Sequence, residues 1–132
     1  MLTITSKSPH AVRALTELAR RGGVQPVPIG EIAAARDISV QFLEGLFASL
    51  RRAGILHSQR GVKGGYRFAR PPAEVTVLEV TELLDGELRP PVDDADAVWS
   101  DATDALRSVL ARATIADIAE REAQATAPMY YI

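Results

Sequence analysis

The sequence of 132 residues contains no cysteine. That absence excludes disulfides, thiolate metal sites, thiol redox sensing and a cysteine nucleophile together. Long apolar runs are missing too: every one falls far short of the ~20 residues needed to span a bilayer. The N-terminus lacks the apolar stretch of a signal peptide, so the expected location is the cytoplasm. Histidine is scarce. His10 and His57 stand too far apart in sequence to suggest a shared site. No pair of titratable groups sits at catalytic spacing in a predicted cleft, which argues against an enzyme. What remains is ample apolar material, 47% of the residues, enough for one compact domain or a small domain plus an association element.

The net charge of −2 hides a strong asymmetry. Residues 1–70 hold eleven basic side chains against four acidic ones, and residues 71–132 hold four against thirteen. A basic half beside an acidic half points to a binding face for a polyanion. Phosphate contacts dominate DNA affinity, so the local surface matters more than the average.

Three helices are predicted in the basic half. The first spans about Ser8 to Arg21, with Pro9 in its first turn, Ala11, Leu15, Leu18 and Ala19 at helical spacing, and Gly22-Gly23 as its stop. Val27-Pro28-Ile29 reads as extended. A short helix Ile29–Arg36 follows, then an Asp37-Ile38-Ser39 turn. Ser39 is a good N-cap for a third helix, Val40 to Ala53, whose apolar face is Phe42, Leu43, Leu46, Phe47 and Leu50. After Gly54, two short strands with alternating pattern flank a basic, glycine-rich turn, and Pro71-Pro72 closes the module.

The acidic half opens with Thr76, three residues before Glu79, an N-cap box for a helix running to about Asp85 and stopped by Gly86. An acidic, proline-containing loop leads to a long helix from about Asp96 to Ala113. Its apolar stripe is Val98, Trp99, Ala102, Leu106, Val109, Leu110 and Ala113. Thr114 and Asp117 form a second box before a short last helix, and Met129 to Ile132 are apolar and unassigned.

Two short helices followed by a basic hairpin make a winged helix-turn-helix, a DNA-binding arrangement. The second helix of such a motif presents its N-terminal residues to base edges in the major groove. Here these are Ser39, Val40, Gln41, Glu44 and Gly45, with Ser49 and Arg52 further along. Gln pairs with adenine and Glu accepts from the cytosine amino group, so Gln41 and Glu44 are the first choices for base reading. The bland alternative for Glu44 is a solvated residue. In the wing, Ser58, Arg60, Gly61, Lys63 and Gly64 are placed to touch phosphates or enter a minor groove. Thr5, Ser6 and Lys7 beside the first helix are candidate phosphate contacts. A phosphate-cradling nucleotide loop is disfavoured, because Gly61–Gly65 matches neither the P-loop nor the dinucleotide fingerprint and leads into a strand.

Residues 1–85 strongly resemble the Rrf-two family of bacterial winged-helix repressors. The matching segments are Leu-Thr-Ile-Thr-Ser-Lys from Leu2, Ala-Val-Arg-Ala-Leu from Ala11 and Pro-Val-Pro-Ile-Gly-Glu-Ile-Ala from Pro26. They continue with Ile-Ser-Val-Gln-Phe-Leu-Glu from Ile38, Leu-Arg-Arg-Ala-Gly-Ile-Leu from Leu50 and Ser-Gln-Arg-Gly-Val-Lys-Gly-Gly-Tyr-Arg-Phe-Ala-Arg-Pro from Ser58. A looser similarity reaches the Trp99 helix and the segment after Thr114. The resemblance implies a mainly α fold with a small β-hairpin. Residues 1–72 would form the DNA-binding domain and 73–132 a helical connector, acidic loop and dimerisation helix. It also implies a homodimer on a roughly palindromic operator. The apolar stripe agrees with pairing, although packing on its own domain is the other reading.

The family's best-known members hold an iron–sulfur cluster through cysteines in the loop before the long helix, and this chain departs there. Asp93 stands where the last family cysteine would be, and Asp96 near a residue that is sometimes His. Carboxylates replace thiolates poorly on a cluster, so no cluster and no other cofactor is expected. Asp93, Asp94 and Asp96 fit better as caps and charge partners for the following helix, with a weak cation site as the alternative. Two function classes stay open. One is a DNA-binding repressor switched by a small-molecule or protein effector; the other is a winged helix that acts through a protein partner.

Overall fold

The computed structural model describes residues 3–22, 25–91 and 97–126. Three helices, α1 (Lys7–Arg20), α2 (Ile29–Arg36) and α3 (Val40–Arg52), precede a two-stranded antiparallel hairpin, β1 (Leu56–Gln59) and β2 (Gly65–Phe68). A 3-10 turn at Pro72–Glu74 leads into α4 (Val77–Asp85), α5 (Val98–Arg112) and α6 (Ile115–Ala125). The predicted fold class holds, and each predicted helix lies within about two residues of its expected place. Gly23, Asp93, Asp94, Asp96 and the segment 129–132 lie outside the described residues.

Local chemistry explains most boundaries. The tight turn between α2 and α3 is reached through Asp37 in the left-handed conformation (φ 53°), with Ile38 buried behind it. Ser39 Oγ accepts from the Phe42 amide at 3.3 Å and starts α3. Gly54, at φ 80°, lets the chain leave α3 for the hairpin. The two N-cap boxes differ. At Thr114 both halves form, since Thr114 Oγ1 accepts from the Asp117 amide and Asp117 accepts from the Thr114 amide. At Thr76 only the first half forms (3.1 Å), because the Glu79 carboxylate instead accepts from Arg70 at 2.5 Å.

One core runs through these elements. Leu15 and Leu18 of α1, Ile32 of α2, Leu43, Phe47 and Leu50 of α3 and Leu56 of β1 share a buried cluster with Val75, Val80 and Ile115. Residues on both sides of Pro72 therefore pack together. Backbone bonds reinforce this: the Val77 amide donates to Ala113 and the Ile115 amide to Val75, both at 2.9 Å. Arg36 is held by Glu17 of α1 (3.0 Å) and Glu122 of α6 (2.7 Å), which ties the last helix to the first helix of the motif.

The hairpin does not stand alone. Val27, on the extended segment before α2, exchanges two 2.9 Å backbone bonds with Tyr66, adding a third strand at one bridge. Gly65 seats against that segment so closely that a Cβ would lie 2.3 Å from the Val27 carbonyl carbon. Among the described residues no helix is long and apolar enough to cross a membrane.

Candidate nucleic-acid interface

The apolar face of α3 buries Leu43, Leu46, Phe47 and Leu50. Helical spacing then places Gln41, Glu44, Gly45 and Arg52 together on the opposite face, where all four are exposed. Ser39 and Val40 are exposed at the start of the helix. Ser49 is half-buried and serves its neighbours: its hydroxyl donates to the Gly45 carbonyl (3.4 Å) and accepts from Arg52 Nη2 (3.2 Å). A pocket of about 370 Å³ is lined by Gln41, Gly45, Ser49 and Lys7, which brings the start of α1 beside the flank of α3.

The wing is locked to α3. Phe47 and Tyr66 meet edge to face with ring centres 5.0 Å apart, a geometry that adds to simple burial. Leu56 at the base of β1 is buried, and every residue from His57 to Lys63 is exposed. Ser58 pairs with Tyr66 and Gln59 with Gly65. The turn is closed by the Gly64 amide donating to the Gly61 carbonyl at 2.9 Å, with Gly61 at φ 109°. Gly64 has its own requirement, since a Cβ there would lie 2.3 Å from the Gln59 carbonyl oxygen.

The structure divides the eleven cations of the first 70 residues into two groups. Arg20, Arg21, Arg36 and Arg70 form salt bridges to Glu122, Glu17, both of these and Glu79 respectively. Arg13 donates to the Arg36 carbonyl at 2.8 Å. Lys7, Arg51, Arg52, Arg60, Lys63 and Arg67 are exposed and make no salt bridge among the described residues. The charge asymmetry in the sequence thus overstates the surface available to a polyanion: these six residues and Arg13, whose bond is to a neutral carbonyl, are the exposed cations of the eleven without a carboxylate partner among the described residues.

At the start of α1, the predicted phosphate contacts meet an unforeseen neighbour. Asp85, the last residue of α4, accepts hydrogen bonds from Thr5 (2.6 Å) and Ser8 (2.5 Å). Burial pushes the Asp85 carboxyl up, but the Ser8 and Thr5 hydroxyls and the Lys7 charge outweigh it and hold the group below its ordinary range. Thr5 has therefore committed its only hydroxyl proton to Asp85, while Ser6 and Lys7 keep exposed side chains. His10, behind them, donates Nδ1–H to the Ser6 carbonyl (2.7 Å) and packs edge-on against Phe42.

Four exposed wing residues lie outside the sequence-based set: His57, Gln59, Val62 and Arg67. Val62 stands at the turn, and the only sequence signal was an apolar residue among glycines and cations. In the acidic half, α5 has a single fully buried residue, Thr103. Ala102 and Val109 of its apolar stripe are exposed, as are Val98 and Trp99, whereas Leu106, Leu110 and Ala113 are half-buried. Arg107 donates to Glu82 and so fastens α5 to α4.

A helix-turn-helix whose second helix is braced against a basic hairpin defines the winged helix-turn-helix class of DNA-binding regulators. The model of the Rrf2 family, described as iron-dependent transcriptional regulators, matches residues 4–121, and the chain belongs to that family. It is 30% identical to the HTH-type transcriptional regulator CymR of Bacillus subtilis, over 99% of this chain and 100% of that one. It is 31% identical to the protein rrf2 of Nitratidesulfovibrio vulgaris, over 89% of this chain and 87% of the other. Among solved structures, IscR of T. potens superposes with a TM-score of 0.85 at 32% identity, covering 98% of this chain and 95% of its own. CymR, titled the global cysteine regulator of B. subtilis, follows with a TM-score of 0.83 at 31% identity, covering 92% and 98%. The protein is a DNA-binding transcriptional regulator and not an enzyme.

The iron in the family description finds no thiolate here. The chain has no cysteine, and among the described residues no three His, Cys, Asp or Glu side chains cluster at metal-holding distance. These donors do not fit a cysteine-held cluster.

Proposed function

We propose that the protein is a homodimeric repressor that grips a roughly palindromic operator, one half-site per protomer. The observation that carries this reading is the rigid unit formed by α3 and the wing through the Phe47–Tyr66 contact. Each α3 enters a major groove, where Gln41 and Glu44 read base edges and Gly45 admits the DNA closely. Ser39, Val40 and Ser49 line the same face, and Arg52, steadied by Ser49, contacts the backbone. Arg60 and Lys63, with Ser58, Gly61 and Gly64 shaping the turn, bind the neighbouring minor groove and its phosphates. Ser6 and Lys7 add contacts at the start of α1; Thr5 contributes only by exchanging its bond to Asp85. Residues 1–72 supply the contact surface, and 73–132 supply pairing.

Pairing is assigned to α5, along Ala102, Leu106, Val109, Leu110 and Ala113 and continuing through Val98 and Trp99. Val109 is 53% exposed on a helix that buries one residue fully, and a second copy would cover it. Two-fold pairing sets the half-sites about one helical turn, ~34 Å, or a multiple apart. With no cysteine to sense iron or sulfur chemistry, release from DNA falls to a small-molecule or protein effector. Sedimentation of the purified protein tests the pairing. The expected species is a dimer that Val109→Glu converts to folded monomers with at least tenfold weaker operator binding. A monomeric wild type, or a variant that stays dimeric, would remove α5 from the interface.

A further inference from the structure

Val62 is fully exposed, at 105% of its reference area, whereas the other exposed large apolar side chains described lie between 40% and 55%. Nothing in the turn requires an apolar residue there. The conformation is set by Gly61 and by the bond from the Gly64 amide to the Gly61 carbonyl, and neither involves the Val62 side chain. The support beneath it is firm: β2 is pinned to Val27 by two backbone bonds, and Tyr66 is wedged on Phe47. From buried Leu56 the four-residue strand carries the tip outward by ~13 Å, at about 3.3 Å per residue. Arg60 and Lys63 stand on either side of Val62, both exposed.

An apolar knob between two cations is complementary to a surface with anionic walls and a less polar floor. The DNA minor groove has that form: phosphates line its edges, and its ~6 Å width admits an isopropyl group. We infer that Val62 is a specificity residue that presses into the minor groove beside the α3 contact and selects A·T pairs there. The discrimination comes from the groove floor. A G·C pair projects the guanine 2-amino group, a donor that a valine side chain can neither satisfy nor fit beside, whereas an A·T pair projects no such group. This inference rests on the proposed placement of the wing on DNA, and it assigns base selection to a residue that makes no hydrogen bond.

The test uses the full-length protein and an operator obtained by binding-site selection, with A·T pairs in the wing-protected segment replaced singly by G·C or by inosine·C. Inosine·C keeps the major-groove face of G·C but lacks the 2-amino group. Wild type is expected to bind A·T and inosine·C sites alike and the G·C site about tenfold more weakly. Val62→Ala, harmless to folding at so exposed a position, should bind the A·T site roughly fivefold more weakly, lose most of the G·C penalty and keep the wild-type salt slope. Inosine·C behaving like G·C, or Val62→Ala retaining full discrimination, overturns the inference while leaving DNA binding intact. A change in dimer mass caused by Val62→Ala without DNA also overturns it, by placing Val62 between protein copies. Failure of the wild type to bind any DNA would instead strike the functional reading itself.

Discussion

Gly45 offers a test in which stability and function should move in opposite directions. It lies in the middle of α3, exposed, and a Cβ built on it meets nothing within 4 Å. No steric demand within the protein calls for glycine. Its flexibility in the unfolded chain costs ~0.5–1 kcal/mol relative to alanine in a helix. Gly45→Ala should therefore stabilise the free protein by that amount, raising Tm by roughly 2–6 °C for a domain of this size. In the complex, the same methyl would occupy space that DNA needs. Overfilling a closely packed contact costs ~1–3 kcal/mol, and at 1.4 kcal/mol per tenfold this weakens operator binding by about 5- to 150-fold. Thermal unfolding followed by circular dichroism, together with operator titration by fluorescence anisotropy, reads both quantities on one sample. A stabilised variant with unchanged affinity would show that α3 does not approach DNA at this position. A destabilised variant would show that the helix environment of Gly45 is misdescribed.

Two further outcomes are expected. Gln41→Ala should weaken specific binding by ~1–3 kcal/mol and relax preference at one base pair per half-site; an unaltered consensus in binding-site selection would move base reading elsewhere. Arg36→Gln should destabilise the fold at neutral pH by about 2 kcal/mol, less than for a fully buried pair because Glu122 is one-third exposed. The pH dependence has a definite sign. Hydrogen bonding from Arg36, ahead of the opposing burial, holds Glu122 low. Burial raises Glu17, but Arg21 and Arg36 outweigh it and hold that group low as well. Carboxyls depressed in the folded state contribute stability above their unfolded value, ~4.3, and lose it as pH falls through the lower folded values. The gap between wild type and Arg36→Gln in urea midpoints should accordingly close as pH falls below about 4. A gap constant down to acid pH would assign the loss to packing.

Much of this fold was legible because its signals are local. Ser39, Thr76 and Thr114 each cap a helix within three residues of themselves, and Gly54 and Gly86 mark stops by their own backbone angles. The class of protein was legible for the same reason, since a capped helix followed by a basic hairpin is contiguous in sequence. The rest depended on distant partners. Arg36 counted in the sequence as one more cation of the basic half, yet its partner Glu122 lies 86 residues away. Gly65 reads in the sequence only as part of the glycine-rich turn, but it packs against Val27 of its own chain. Thr5 looked like a phosphate contact, but its hydroxyl donates to Asp85, 80 residues later. Helical periodicity found the α5 stripe but could not show how it divides, with Leu106, Leu110 and Ala113 half-buried on their own domain and Val98, Trp99, Ala102 and Val109 left exposed.

The proposed function requires α3 and the wing to form one DNA-gripping surface charged by Arg60, Lys63 and their exposed neighbours. Titrating DNA from the promoter beside the protein's own gene over a series of salt concentrations tests this directly. The predicted result is an affinity that falls steeply as salt rises, with a log–log slope shallower by roughly two units when Arg60 and Lys63 are both changed to alanine. Binding that ignores salt, or a double variant with the wild-type slope, would contradict it.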